Sequence, residues 1–144
     1  MKNDSSLFYT CSLIEYMARE KKLHRSEACN RLGEKTIARI YRYADVFHCE
    51  PIAAVADEFE GEYLQETGKY DNVAECKYTA PDYWTIGKVF SRLIEDVMGD
   101  KPVLETLQDV YRSWISDAIS NYNSDFFYQP REYLKECYLA GEVL

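Results

Sequence analysis

Apolar residues recur every three or four positions along most of this 144-residue chain. That spacing collects them on one side of an α-helix, whereas a half-buried β-strand would alternate at every second residue. The first predicted helix shows it best, because Ser5 or Ser6 can cap an apolar stripe that is made of Leu7, Cys11, Ile14 and Ala18. The sequence also lacks the turn pairs of β-hairpins. The pattern predicts an all-α fold.

Glycines and prolines divide this pattern into six or seven helices. Gly33, Gly99 and Gly141 are predicted to end helices, and Pro51, Pro102 and Pro130 to begin them. The predicted helices cover residues 5–22, 26–32, 34–47, 51–63, 82–98, 102–119 and 130–140. Residues 65–81 lack the pattern and are predicted to be a structured loop, with one short helical turn near 72–76. The spacing places both Trp84 and Trp114 in the core.

No repeat and no linker rich in proline, glycine or serine separates one part of the chain from another. A chain of this length buries enough surface to hold one core without a disulfide or a metal. We therefore expect a single domain over residues 1–144, folded as an irregular bundle of six to seven helices.

The cysteines and the N-terminal stretch favour a cytoplasmic location. The five cysteines are odd in number and scattered, and none forms a CxxC pair, which is typical of reduced thiols. The first apolar stretch is interrupted by Glu15 and Arg19, so it is too short and too polar for a signal peptide or a membrane span. No membrane association is expected.

The net charge of −8 is unevenly distributed. Residues 1–50 carry nine basic and seven acidic side chains, a balance of +2, whereas residues 51–144 carry eight and eighteen, a balance of −10. The acidic part repels phosphate backbones, so nucleic acid is not expected as a partner. A basic protein partner suits this charge.

The first three helices resemble a helix-turn-helix in outline. Residues 26–32 and 34–47 flank Gly33, and Arg39 and Arg42 on the second helix could face a DNA groove. Only Lys35 adds to these two charges, whereas proteins that read DNA usually carry a dense basic face. A DNA-binding regulator is the third functional hypothesis.

An acidic cluster on the fourth predicted helix suggests a second hypothesis, a metal-dependent hydrolase that acts on nucleotides. Glu58 and Glu62 are four residues apart and share a helix face. A catalytic site would also need carboxylates from facing helices, for which the candidates are Glu95, Asp96, Glu105 and Asp109. No signature motif supports this chemistry, and a solvated acidic face explains the cluster more simply. The sequence therefore favours a protein without enzymatic activity, bound metal or cofactor.

The segment 121–128 places several aromatic residues beside turn-forming residues, in a chain with thirteen tyrosines. Tyrosine is common at protein interfaces because it offers rigid, amphipathic contact area. Two interpretations stay open: the segment folds back on the bundle, or it forms an exposed patch. The leading hypothesis is a non-enzymatic protein-binding module whose surface is formed by Asp57, Glu58, Glu62, Tyr122, Phe126, Phe127 and Tyr128.

Four stretches, taken together, resemble an uncharacterised family of small, mostly helical bacterial proteins. They are SLFYTCSLIEY, YADVFHCEPIAAVADEF, YDNVAECKY and PDYWTIGKVFSRLI. The family is associated with mobile or toxin–antitoxin-like gene neighbourhoods. The resemblance assigns a role to no individual residue, but it implies that the binding module is antitoxin-like or regulatory.

Overall fold

The computed structural model describes residues 4–144, which form nine α-helices and no strand, with 67% of residues helical. The prediction of an all-α fold is confirmed, although the described residues form nine helices rather than six or seven. The helices are α1 Ser5–Lys21, α2 Arg25–Leu32, α3 Glu34–Arg42, α4 Ala44–Phe47, α5 Ile52–Tyr63, α6 Tyr83–Val97, α7 Val103–Arg112, α8 Trp114–Ser120 and α9 Arg131–Ala140. One 3₁₀ turn, Phe126–Tyr128, precedes α9.

The two extra helices arise where single predicted helices are interrupted. At Ser113 the backbone is extended (φ −82°, ψ 170°), and its hydroxyl accepts a hydrogen bond from the amide of Ile115, so Ser113 ends α7 and caps α8. Serine favours such capping positions because its side chain competes for backbone groups. A milder break at Tyr43 separates α3 from α4. At the helical turn expected near residues 72–76 the chain forms a single hydrogen-bonded turn, in which the amide of Glu75 donates to the carbonyl of Asp71 at 3.1 Å, and it does not continue into a helix.

Helix α1 lies at the centre of the bundle and packs against α2, α3, α4, α5 and α6. Asp4, rather than Ser5 or Ser6, caps it by accepting a hydrogen bond from the amide of Leu7 at 3.0 Å. The predicted stripe is fully buried, and so are polar residues on its other sides, including Ser12 and Glu15. A helix that is buried almost all round is expected only in the middle of a core.

Helices α1 and α6 approach each other closely at Gly87. A Cβ atom added to Gly87 of α6 would lie 2.8 Å from the Cα of Ser12, which is closer than two such carbons can approach. A glycine is therefore needed at this crossing so that the two backbones can meet.

The long connection of residues 64–82 is ordered by hydrogen bonds to the end of α1. The amide of Gly68 donates to the carbonyl of Lys21 at 2.7 Å, and the amide of Tyr70 donates to that of Lys22 at 2.9 Å. The last carbonyls of a helix lack partners within the helix, so the loop satisfies them. The prediction of a structured loop holds.

The prediction of a core position is wrong for two residues. Trp84 and Trp114 are each 37% exposed, although most of the other predicted core positions are buried. All five cysteines are free, as the sequence predicted. Within residues 4–144, every helix is too short or too polar to cross a membrane.

The α1–α6 crossing can be tested with a pair of glycine substitutions. Gly87→Ala should lower the free energy of unfolding by about 1–3 kcal/mol, because the added methyl group meets the backbone of α1. Gly61→Ala lies in α5 with open space around it, so it should instead stabilise by roughly 0.4–1 kcal/mol. Urea denaturation of both variants measures the difference, and equal midpoints would contradict the packing described.

Candidate functional site

A buried ion pair joins α1 to α2. Glu15 and Arg25 are both fully buried. The Nε of Arg25 donates to the Oε1 of Glu15 at 2.9 Å and its Nη2 donates to Oε2 at 2.6 Å, so the pair has the strong bidentate geometry. The remaining donor group, Nη1, reaches the carbonyl of Leu23 at 2.9 Å.

Two further side chains complete the environment of Glu15. Arg19 donates through Nε to Oε2 at 2.8 Å, and the hydroxyl of Tyr122 donates to the same oxygen. Burial alone would raise the pKa of Glu15, but the charges of Arg25 and Arg19 and these hydrogen bonds lower it from 4.5 to about 2. The ionised carboxylate therefore stabilises the fold above pH 4.5, and this stability is lost as the pH falls towards 2.

The same network holds the loop and the segment after α8. Asn72 in the loop accepts from Arg25 at 3.2 Å and donates to the carbonyl of Ser120 at 2.8 Å. Arg19 also donates to the carbonyl of Pro81 at 2.7 Å. We call Glu15, Arg19, Arg25, Asn72 and Tyr122 the buried polar network. It joins α1, α2, the loop and the end of α8.

An aromatic groove of about 510 Å³ opens on the surface between α1, α6 and the 3₁₀ turn. We call this depression the aromatic groove. Its walls include Phe8, Trp84, Val89, Phe127 and Tyr128. Phe127 and Tyr128 also border a second depression of about 510 Å³, towards Tyr78. The groove is connected to the buried polar network, because the ring of Phe127 packs edge-on against that of Tyr122, with 5.9 Å between the ring centres.

The charged residues of the groove are mainly basic, although the protein is acidic. Lys88 places its Nζ 4.6 Å from the centre of the Phe8 ring, and Arg92 is exposed at the rim. Within residues 4–144 neither of them forms an ion pair. The carboxylate of Asp82 is engaged in capping α6 by accepting from the amide of Thr85 at 2.7 Å. The two cations are thus available to an anionic or carbonyl group.

A chain of aromatic contacts leads from the groove towards α5. Trp84 lies 5.5 Å from Phe8 and 5.0 Å from Tyr83, and Tyr83 in turn lies 5.0 Å from Tyr16, measured between ring centres. Tyr16 neighbours Glu20, whose carboxylate is close to those on α5. Aromatic surface therefore connects the groove to the acidic helix.

The structure divides the predicted aromatic patch between core and surface. Tyr122 and Phe126 are only 4% and 7% exposed, so at these positions the segment folds back on the bundle, one of the two interpretations that the sequence leaves open, and these two side chains are not part of an exposed patch. Phe127 is half-buried in the groove wall, and Tyr128 is 64% exposed. The surface contribution of this segment comes from Phe127 and Tyr128.

The predicted acidic residues Asp57, Glu58 and Glu62 are all exposed on α5. The facing carboxylates that a hydrolase would need are engaged elsewhere. Asp96 pairs with Arg131 at 2.9 Å and Asp109 with Lys101 at 2.7 Å, and Glu95 and Glu105 contact the same two cations. The structure therefore does not bring these carboxylates together with those of α5.

The basic residues of the helix-turn-helix outline are exposed on α3. Lys35, Arg39 and Arg42 lie at the surface, but the guanidinium of Arg39 stacks 5.2 Å from the centre of the Phe59 ring on α5. Arg39 is therefore partly engaged within the fold.

Sequence reasoning missed Trp84, Lys88 and Arg92 as residues of one surface. They are spaced by four along α6 and so share one helix face, while Ile86, Phe90 and Leu93 face the core. The signal was present, because a tryptophan in register with two basic residues belongs to the solvent side. The short apolar spacing alone had placed Trp84 inward.

Comparison with protein-family models, with curated proteins and with solved structures finds no match for this chain. The likeness of four of its stretches to a bacterial family is therefore a hypothesis from sequence.

The contribution of the buried polar network can be measured with Tyr122→Phe. This change removes the hydroxyl that donates to the ionised Glu15, and should cost about 1.5–3 kcal/mol, the usual range for a hydrogen bond to a charged group. Tyr78→Phe, at a site that is 73% exposed, is the matched control and should stay within roughly 0.5 kcal/mol of the unchanged protein. Urea denaturation at pH 7 gives both values, and a Tyr122→Phe variant as stable as the control would contradict the description.

Proposed function

We propose that this chain is a non-enzymatic protein-binding module, antitoxin-like or regulatory, that holds a segment of a basic partner protein in the aromatic groove. The observation that carries the proposal is the group of partly exposed aromatic rings around an open depression of about 510 Å³. Aromatic side chains of this kind supply most of the affinity at protein interfaces, because they bury large area at low entropic cost.

The composition of the groove suggests what the bound segment carries. An apolar or aromatic side chain would pack between Trp84, Phe127 and Tyr128. A neighbouring main-chain carbonyl or carboxylate would accept hydrogen bonds from Arg92 and Lys88, neither of which forms an ion pair within residues 4–144. Arginine is enriched at interfaces for this purpose.

The acidic surface of α5 supports the choice of a basic partner. Its exposed carboxylates, Asp57, Glu58 and Glu62, belong to the part of the chain that carries a charge of −10. Complementary charge mainly speeds the encounter between two proteins, while the buried anchors determine how long they stay together. The two surfaces would thus act at different stages of binding.

Loss of an aromatic ring from the groove should speed dissociation. We expect Tyr128→Ala to weaken the complex by about 1 kcal/mol or more, mainly through the dissociation rate, while the fold is kept because the side chain is 64% exposed. Tyr43→Ala removes another exposed tyrosine at the break between α3 and α4 and serves as the matched control. The partner is first identified by a photo-crosslinking residue at position 128, and surface plasmon resonance then gives the rates. Equal rates for both variants would place binding elsewhere.

Reversal of charge on α5 should slow association instead. With Glu58→Lys and Glu62→Lys combined, the association rate should fall about tenfold at low salt, and the difference should shrink as added salt screens the charges. Glu136→Lys with Glu142→Lys makes the same change in net charge near the C-terminus. If both double variants slow association equally, the net charge matters and the surface of α5 does not.

The alternative to a protein-binding module is an enzyme. Purified protein that turns over nucleotides with a divalent metal, at a rate unaffected by Tyr128→Ala, would replace it with the hydrolase hypothesis.

A further inference from the structure

Three carboxylates from two helices meet near Tyr16, where the chain of aromatic contacts from the groove ends. Glu20 lies in the last turn of α1, and Asp57 and Glu60 lie three residues apart on the facing side of α5. One carboxylate oxygen of each residue lies within 4.8 Å of the other two. Glu20 and Asp57 are exposed, whereas Glu60 is only 6% exposed.

One carboxylate oxygen of Glu60, the buried member of this cluster, lacks a hydrogen-bond partner. Within residues 4–144 no group donates a hydrogen bond to the Oε2 of Glu60, although a buried polar atom without a partner is costly. The charge of Lys21 acts on this carboxylate, but Lys21 forms no ion pair with it. Burial is the largest of the causes that raise the pKa of Glu60 to about 8. A hydrogen bond with Glu20 and the charges of Glu20 and Asp57 add to it, and the charge of Lys21 opposes it. When all three carboxylates are ionised, the nearby positive charge therefore does not balance their negative charge.

We propose that Glu20, Asp57 and Glu60 form a binding site for a hard divalent cation, Ca²⁺ or Mg²⁺. Carboxylate oxygens are the ligands that these cations prefer, and oxygens on opposite sides of a Ca²⁺ ion lie about 4.6–5.2 Å apart. That separation is the upper limit for any two ligands of one Ca²⁺ ion, and the three oxygens of the cluster, each within 4.8 Å of the other two, lie within it. Zn²⁺ fits poorly, because its sites usually use cysteine or histidine.

The exposure of Glu20 and Asp57 leaves room for water to complete the coordination. A bound cation would neutralise the buried carboxylate of Glu60, remove the repulsion between the carboxylates and join the end of α1 to α5. Asp57 also belongs to the acidic surface of α5, but none of the three carboxylates lines the aromatic groove, and the cation site does not depend on the function that is proposed for the groove. With only three protein ligands, we expect a dissociation constant of roughly 10⁻⁴–10⁻³ M, the range of weak calcium sites.

The experiment uses the full chain and a matched pair of variants. Glu60→Gln removes the buried ligand, while Glu58→Gln removes one charge from the same helix at an exposed position outside the cluster. Calorimetric titration with Ca²⁺ and separately with Mg²⁺ gives affinities, and thermal melts with and without each cation give the change in Tm. Terbium luminescence, sensitised by the nearby Tyr16, reports occupancy of the site itself.

We expect the unchanged protein and Glu58→Gln to bind alike and to gain Tm on addition of cation, because ligands that bind the folded state stabilise it. Glu60→Gln should bind at least about tenfold more weakly, since affinity follows the charge count of the ligands. Its Tm should not respond to cation.

Equal affinities for the unchanged protein and Glu60→Gln would overturn the proposal, and so would the absence of binding at roughly 10 mM of both cations, which is above the weakest range of such sites. In the second case the cluster holds a proton shared between carboxyl groups. If Glu60→Gln does not fold, Asp57→Asn at an exposed position takes its place with the same expected loss. Partner binding is measured separately, with the Tyr128→Ala variant, so either proposal can fail while the other stands.

Discussion

The pairing of Glu15 with Arg25 in the centre of the bundle constrains the rest of the structure. A charge that is taken out of water is costly unless its partners are complete, and removal of one partner of such a pair costs several kcal/mol. Here the partners come from α1, α2, the loop through Asn72 and the segment after α8 through Tyr122. These parts must therefore assemble together, and a loop without regular secondary structure is held in one position.

The same network determines the shape of the candidate binding surface. Tyr122 is fixed by Glu15 below it, and Phe127 packs on Tyr122 to form the wall between two depressions. The groove is thus supported from the core, and a surface that is already ordered loses less entropy on binding. The acidic residues of α5 lie on a different element, where they are exposed and free to attract a partner without disturbing this arrangement.

Apolar spacing predicted where the helices lie because burial of one side is a local property of sequence. It could not show the interruptions at Ser113 and Tyr43, where capping and packing outweigh the periodicity. It also treated Glu15 and Arg19 only as polar interruptions of an apolar stretch, because their partners lie far along the chain, with Tyr122 separated from Glu15 by 107 residues. The exposed aromatic residues are predicted only in part for the same reason. Local sequence marks the residues 121–128 as unusual, but only tertiary packing decides that Tyr122 turns inward and Tyr128 outward.

The ionisation of Glu15 is the most direct measure of the buried ion pair. In a protein labelled with ¹³C, the side-chain carboxyl shift of Glu15 can be followed while the pH is lowered. We expect Glu15 to stay ionised well below pH 4.5 and to take up its proton only near pH 2 or on acid unfolding. A titration of Glu15 near its ordinary value of 4.5 in the folded protein would contradict the buried ion pair and the organisation that follows from it.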